Sequence, residues 1–206
     1  MNNKTTLRLE TERDHRAVEA LTRDAFWDIY KPGCDEHLLI HKLRGAKAFV
    51  PGLDFVAERA GRIIGNIVYS AARVIDQAGR VHAVLTFGPL SVLPACQRQG
   101  VGAALVRHTL DIARAMGHSA VIIFGNPAFY SRFGFKSADQ FGITTRDGTS
   151  FDAFMALPLY EGALNGISGR FYEDDIFRID PLELAEFDRS FPPRERHVTD
   201  TQLSVH

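Results

Sequence analysis

Residues 97–102, Gln-Arg-Gln-Gly-Val-Gly, carry the residue types of an anion-binding loop between a strand-like and a helix-like segment. Glycine lets the backbone approach a ligand closely, and the first N–H groups of a helix have no acceptor within it. These groups and the helix dipole favour a phosphate, to which Arg98 adds a positive charge. The loop differs from a Walker A motif, because no Gly-Lys-Ser/Thr follows, and from Gly-x-Gly-x-x-Gly, because residue 105 is leucine. The pattern therefore favours a diphosphate-containing ligand other than a nucleoside triphosphate or a dinucleotide.

The elements on either side of this loop are predicted to form a crossover unit. Residues 83–93 are strand-like, and Gly88-Pro89 within them predicts a bulge or splay, because proline cannot donate to a ladder. The apolar pattern of residues 100–116 predicts a helix, and the continuous apolar run 120–124 predicts a strand buried on both faces. Strand, loop, helix and strand in this order imply a parallel pair.

The remaining elements complete a predicted mixed α/β domain. Residues 54–69 contain two strand-like runs joined by Ala-Gly, which predicts an antiparallel hairpin. A helix is predicted over residues 35–43, and a short one around residues 127–133, with Asn126 as its cap. Asp147-Gly148 is a turn signal, from which we expect a late pair of strands on its two sides.

The order Val92-x-Pro94-x-x-Gln97-x-x-Gly100-x-Gly102 resembles the coenzyme A-binding motif of the GNAT superfamily of N-acetyltransferases. Residues 130–135, Tyr-Ser-Arg-Phe-Gly-Phe, are similar to a second element of that family, Tyr-x-x-x-Gly-Phe. The resemblance covers about three quarters of the chain. It implies a mostly antiparallel sheet with one splayed parallel strand pair and helices on both faces. It also implies a GNAT domain over residues 1–160, followed by a C-terminal extension over residues 161–206, packed on the domain or trailing from it.

The activity that the resemblance implies is transfer of an acetyl group from acetyl-CoA to a primary amine, by direct attack and without a metal. Tyr130 would be the general acid for the leaving thiolate. A backbone N–H near Val92 would bind the carbonyl oxygen of the thioester. The residues implied in cofactor binding are Leu90, Ser91, Val92, Gln97, Arg98, Gln99, Gly100, Val101, Gly102, Ala103, Asn126, Phe129 and Tyr130.

The general base is the point at which this chain departs from many members of the family. Some of them have a carboxylate on the strand before the loop, whereas residues 84–90 here contain none. Glu36, on the helix that typically borders the acceptor site, is the candidate base. Deprotonation through water, or an acceptor amine of low pKa, are alternatives that stay open.

Other reactive side chains have simpler interpretations than catalysis. His37 and His41 have a metal-ligand spacing, but the glutamate of a His-Glu-x-x-His motif is missing, so we expect no metal site. Cys96, near a helix start, is more simply a small apolar residue than a nucleophile. The acidic pair Asp174-Asp175 is interpreted first as a solvated surface, and alternatively as an attractor for a cationic acceptor.

The composition limits the other classes of function. The chain has 206 residues and a net charge of −1, so it has no basic surplus for binding nucleic acid. It has no apolar run of ~18 residues and no apolar signal core at its start, which favours a cytoplasmic protein without membrane contact. A homodimer is compatible with the sequence. A non-catalytic acyl-CoA-binding regulatory or interaction protein is the alternative function.

Overall fold

The computed structural model describes residues 4–200 and 202, and its strands form one mixed sheet. The strands are β1 (Thr6–Leu9), β2 (Phe55–Arg59), β3 (Arg62–Ile75), β4 (Val81–Val92), β5 (Ala120–Phe124), β6 (Lys136–Ser137), β7 (Ile143–Thr144), β8 (Phe154–Pro158) and β9 (Gly169–Tyr172). The α-helices are α1 (His15–Phe26), α2 (Glu36–Leu43), α3 (Val101–Ala115), α4 (Pro127–Tyr130) and α5 (Pro181–Asp188).

The main path of the sheet follows the order β1-β2-β3-β4-β5-β8-β6. The crossover unit β4–α3–β5 lies within this path and has antiparallel strands on both sides. The hairpin β2–β3 turns at Ala60 and Gly61, which both have positive φ angles. The pair β4–β5 is parallel, as predicted, and its recorded register consists of Leu85 opposite Val121. A second parallel pair, β7–β9, was not predicted.

Helices cover both faces of the sheet, as the GNAT resemblance implies. The core below α3 contains Val101 and Leu105, packed against residues of β3, β4 and β5 such as Ile67 and Leu85. The opposite face packs α1 and α2 through a separate cluster that includes Val18. Residues 64–70 of β3 are all buried and supply both cores, because successive side chains of a strand point to opposite faces.

The prediction of a late strand pair around Asp147-Gly148 is confirmed only in part, since a strand lies on each side of the turn, β7 before it and β8 after it. The turn itself forms, with a hydrogen bond of 3.0 Å from the N–H of Gly148 to the carbonyl of Thr145. However, the flanking strands do not pair with each other, since β7 pairs with β9 and β8 pairs with β5 and β6. The turn is closed locally by the hydroxyls of Thr145 and Thr149, so its geometry does not require a ladder beyond it.

Residues beyond 160 contain regular elements that the sequence analysis did not identify. Strand β9 pairs with the end of β3, and α5 packs against α2. The Asp180 side chain caps α5 by accepting from the N–H groups of Leu182 and Glu183. The division of the chain near residue 160 stays a prediction. None of the helices in the described part of the chain has the length and apolar character needed to cross a bilayer.

Candidate functional site

The glycine loop presents a row of backbone N–H groups at the start of α3. Gly100 precedes the helix with a φ of 83°, in the left-handed region that favours glycine. The first hydrogen bond of the helix runs from the N–H of Ala104 to the carbonyl of Gly100, at 2.9 Å. The N–H groups of Val101, Gly102 and Ala103 precede that bond and have no acceptor within the helix. The loop therefore offers the donors that an anion needs.

The polar side chains of the loop bind its own backbone. Nε2 of Gln97 donates to the carbonyl of Val92 at 3.2 Å, and Nε2 of Gln99 donates to that of Ala95 at 2.9 Å. Arg98, with a φ of 59°, is exposed. Residues 92–110 contain two arginines and no carboxylate, so the local charge also favours an anion.

Strand β4 bends away from its parallel neighbour next to this loop. Tyr69 is opposite Phe87 and Ile67 is opposite Leu90, so two residues of β4, Gly88-Pro89, oppose one residue of β3. This is the bulge that the sequence predicted. Beyond it, the recorded strand pairing of residues 90–92 is with β3 alone, so no strand competes with an extended ligand on their other edge, where the carbonyl of Val92 accepts from Gln97.

Three of the segments proposed to hold the cofactor meet at Gly102. A methyl group at this position would lie 3.5 Å from Cγ2 of Val92, 3.6 Å from Cζ of Phe129 and 3.8 Å from Cδ2 of Leu90. The structure thus brings together the end of β4, the start of α3 and helix α4. Ser91 differs, because its side chain is buried away from Gly102, with its hydroxyl 2.9 Å from that of Thr22.

Helix α4 begins where the sequence predicts, with the side chain of Asn126 accepting from the N–H of Ala128 at 2.9 Å. The cap is confirmed, whereas cofactor contact by Asn126 stays a prediction.

Helix α4 holds Tyr130 in an aromatic cage at the end of β5. The ring centroid of Tyr130 lies 4.9 Å from that of Phe129 and 5.7 Å from those of Phe87 and Phe135. Its hydroxyl makes no hydrogen bond to the described residues. Burial, and to a lesser degree the nearby Tyr30, raise the pKa of Tyr130 above its usual value, so that the phenol is protonated at neutral pH.

The place of the Tyr130 ring depends on Gly125, which the sequence analysis missed. A methyl group at Gly125 would lie 2.3 Å from Cε2 and 2.5 Å from Cδ2 of Tyr130. These distances are far below van der Waals contact, so only glycine fits with the ring in this position. A glycine directly after a buried strand was the available signal.

Glu36 lies at the start of α2, outside the group of cofactor-binding segments. Burial raises its pKa to about 7, with a further increase from Asp35 that its own backbone N–H opposes. A carboxyl group with this pKa is suited to accept a proton near neutral pH.

Tyr30, in the loop between α1 and α2, is near enough to Glu36 and to Tyr130 for electrostatic interaction. Burial and then the charge of Glu36 raise the pKa of Tyr30, while Tyr30 makes a smaller contribution than burial to the raised pKa of Tyr130. The sequence analysis did not select Tyr30, since an isolated tyrosine in a loop carries no pattern.

The two histidines of α2 take part in contacts within the protein. His37 is buried between Sγ of Cys34, 3.5 Å from its Nδ1, and Asp188 of α5, 3.2 Å from its Nε2. Burial lowers the pKa of His37 to about 4 and raises that of the Cys34 thiol, so both are neutral at pH 7. His41 lies beside Glu19, at 2.9 Å. Among the described residues, no group of three His, Cys, Asp or Glu side chains is placed to hold a metal ion.

Comparisons with known proteins agree with this geometry. The model of the acetyltransferase (GNAT) domain matches residues 52–137. The uncharacterized N-acetyltransferase YhbS of Escherichia coli K12 is 31% identical over 163 residues, which are 79% of this chain and 92% of that protein.

Two crystal structures show the same fold with ligands. That of E. coli YhbS in complex with CoA is similar with a TM-score of 0.77 and 29% identity, over 87% of this chain and 94% of that one. A GNAT family acetyltransferase from Brucella melitensis, in complex with acetyl-CoA, has a TM-score of 0.69 and 26% identity, over 85% of this chain and 99% of that one.

Proposed function

Because the chain belongs to the GNAT family of N-acetyltransferases, we propose that it moves an acetyl group from acetyl-CoA to a primary amine of a small molecule or protein. The amine attacks the thioester directly in this proposal. The family membership supports the reaction class, and the CoA and acetyl-CoA complexes of the two similar structures support the co-substrate.

The residues present fit acetyl-CoA. The N–H groups of Val101, Gly102 and Ala103 and the cation of Arg98 suit the diphosphate. The free edge of residues 90–92 suits the amide-containing pantetheine arm, which can pair with it as an added strand. Gly102 keeps the space between this edge and α4 free of a side chain.

The catalytic roles follow from what these residues can donate and accept. Acetyl-CoA, when bound, supplies an activated acetyl group as a thioester. A backbone N–H near Val92 would donate to the thioester oxygen, on which charge develops during attack. Tyr130 holds the proton that a leaving thiolate requires, because a phenol is already protonated at neutral pH at its usual pKa of ~10, and burial raises that pKa further.

Glu36 is the proposed general base. A protonated amine must lose a proton before it can attack, and a carboxylate with a pKa of about 7 can accept one at neutral pH. No residue of β4 offers a carboxylate, as the sequence of residues 81–92 shows.

The cysteines support direct attack over a covalent acyl-enzyme. The thiol of Cys34 is buried against His37, and its raised pKa keeps it from forming the thiolate that a nucleophile needs. Cys96 is half-buried in the short turn Pro94–Cys96 before the loop, and the described structure shows no base in hydrogen-bond contact with it.

The observation that carries the proposal is the set of free N–H groups beside Gly100, and calorimetry with acetyl-CoA tests it. We expect micromolar binding of acetyl-CoA and of desulfo-CoA, and none of ATP. Gly100→Asp and Gly100→Asn form a matched pair, because both residues tolerate positive φ and a side chain here meets open space. Only Asp adds a negative charge. Its repulsion from the two charges of a diphosphate, each at ~5 Å in water, amounts to about 1.6 kcal/mol, so the affinity for acetyl-CoA should fall roughly tenfold relative to Gly100→Asn.

Equal affinities of two folded variants would contradict the assignment of the loop, and absence of acetyl-CoA binding by the wild type would contradict the function. Thiol release with a panel of amines then tests transfer itself.

A further inference from the structure

A cavity of about 460 Å³ lies beside the end of β5. Ile123 packs in the core below α3, so its neighbour Phe124, which lines the cavity, points to the opposite face of the sheet. Its walls are the turn at residues 145–147, the segment 171–178 and the ring of Phe124. Phe124 stacks on Phe154 at 5.1 Å between centroids, yet 49% of it is exposed. A volume of this size suits a small molecule, for which an exposed aromatic ring is a usual contact.

The cavity is adjacent to the proposed reaction centre. Phe124 immediately precedes Gly125, against whose Cα the ring of Tyr130 packs. Consecutive Cα atoms are ~3.8 Å apart, so the aromatic wall of the cavity begins one residue from the glycine on which the ring of Tyr130 packs. The segment 171–178 also contacts α2, the helix that begins with Glu36. A molecule in the cavity would thus approach Tyr130 from the side opposite α3.

Most charged groups of the cavity already have partners. Arg146 and Arg178 both lie near Asp175, at 3.6 and 3.7 Å. Asp147 accepts from the hydroxyls of Thr145 and Thr149, and Asp174 accepts from the N–H of Ile176 at 3.0 Å.

Glu173 is the exception among the acids of the cavity. It is half-buried and has no hydrogen bond or ion pair with the described residues. Burial raises its pKa to about 6, although Arg178 opposes this effect. A carboxylate that loses water without gaining a partner is destabilised, and a bound cation would relieve this.

We propose that this cavity binds the second positive charge of a diamine acceptor, with Glu173 as its counter-ion and Phe124 as the apolar wall for its spacer. One amine would then reach the acetyl group while the other is held. This inference rests on the proposed function, of which it specifies the acceptor class. It also gives the acidic residues 173–175 a function beyond that of a solvated surface.

The test compares acceptors that differ by one amine. The probes are 1,5-diaminopentane against n-pentylamine, and m-xylylenediamine against benzylamine, each titrated by calorimetry with desulfo-CoA present and then assayed by thiol release with acetyl-CoA. We expect each diamine to bind at least tenfold more tightly than its monoamine, and Glu173→Gln to remove this advantage. Glu161→Gln, the same change at an exposed site outside the cavity, should retain it.

Equal affinities for diamine and monoamine in the wild type, or an advantage that Glu173→Gln leaves intact, would overturn the inference. If Glu173→Gln does not fold, Phe124→Leu replaces it, and an unchanged diamine affinity in that variant would count equally against the aromatic wall. Diamine binding with Glu173 dependence but no acetyl-CoA binding would leave the cavity assigned and refute the proposed function. Acetyl transfer to monoamines without a preference for diamines would support the proposed function and overturn the inference about the cavity.

Discussion

Replacement of Gly125 by alanine should move the ring of Tyr130 and little else. The added methyl group would lie 2.3 Å from Cε2 of Tyr130 and 3.3 Å from Cδ1 of Ile123. To reach an ordinary contact of 3.4 Å the ring must shift by about 1 Å, whereas the Ile123 methyl group needs to move by only about a tenth of that distance. The φ of Gly125 lies outside the left-handed region, so alanine adds no backbone strain.

A displacement of ~1 Å in a catalytic group can lower a rate by ~10²-fold, which is also the scale of a lost general acid. We therefore expect Gly125→Ala to lower kcat for thiol release by ~10²-fold, about as much as Tyr130→Phe. The Kd of acetyl-CoA, measured by calorimetry, should change little, because the diphosphate site at residues 98–103 is untouched. Overpacking costs about 1–3 kcal/mol of stability, which leaves a chain of this size folded.

The double variant Gly125→Ala/Tyr130→Phe distinguishes a shared effect from two separate ones. If both changes remove the same proton donor, the double variant should be no slower than either single variant. Gly45→Ala is the matched control, since its methyl group would meet its nearest atom at 3.7 Å. Wild-type kcat in a folded Gly125→Ala, alongside an impaired Tyr130→Phe, would refute the link between Gly125 and the ring. Full activity of Tyr130→Phe would remove the tyrosine from the mechanism.

Two further predictions concern ionisable groups. Glu36 can act as a base only when ionised, so kcat should rise with pH through about 7, and Glu36→Gln should be slower and lose this limb. Because the pKa of Glu36 is raised in the folded protein, its ionisation destabilises the fold as pH rises. Glu36→Gln should therefore be no less stable than wild type at pH 8. If the variant has the same pH dependence of kcat as wild type, Glu36 is not the base. Asp188→Asn leaves the buried guanidinium of Arg23 without its partner at 2.7 Å, which predicts a loss of about 3–5 kcal/mol in a denaturant titration. Glu186→Gln, which breaks an exposed pair with Arg189, should cost at most ~1 kcal/mol, and equal losses in the two variants would contradict the burial argument.

The parts of the site that could be predicted are those encoded within a few consecutive residues. Gly100 and the first turn of α3 need only each other to form an anion site, so a motif of a dozen residues identifies them. The bulge at Gly88-Pro89 and the cap at Asn126 are likewise properties of the local chain. Their positions in the structure are as the sequence predicts.

The parts that were missed depend on contacts between distant residues. The role of Gly125 exists only because a ring five residues later folds back on it. Strand β9 is four residues long, and its partners on β3 are about a hundred residues away, so no periodicity could indicate it. Helix α5 did carry a local signal, Asp180-Pro181, which is a cap followed by proline at the first helical position.

The proposed acceptor side of the site includes the α1–α2 loop, which carries Tyr30 and leads into Glu36. Residues near the end of the chain, Glu195 and His197, contact this loop. Its Trp27 donates to the carbonyl of Glu195 at 2.9 Å, and its Asp28 lies 3.0 Å from Nδ1 of His197.

The cavity at Glu173 belongs to the same late part of the sequence. About a fifth of this chain lies outside its alignment with YhbS, so the acceptor of one protein does not specify that of the other. In the proposed site, the diphosphate-binding loop is thus encoded in a short segment near the middle of the chain, whereas the proposed amine site depends on contacts of long sequence separation. This division explains why one sequence can identify the reaction class from a motif, while the acceptor class has to be inferred from a cavity and its unpaired charge.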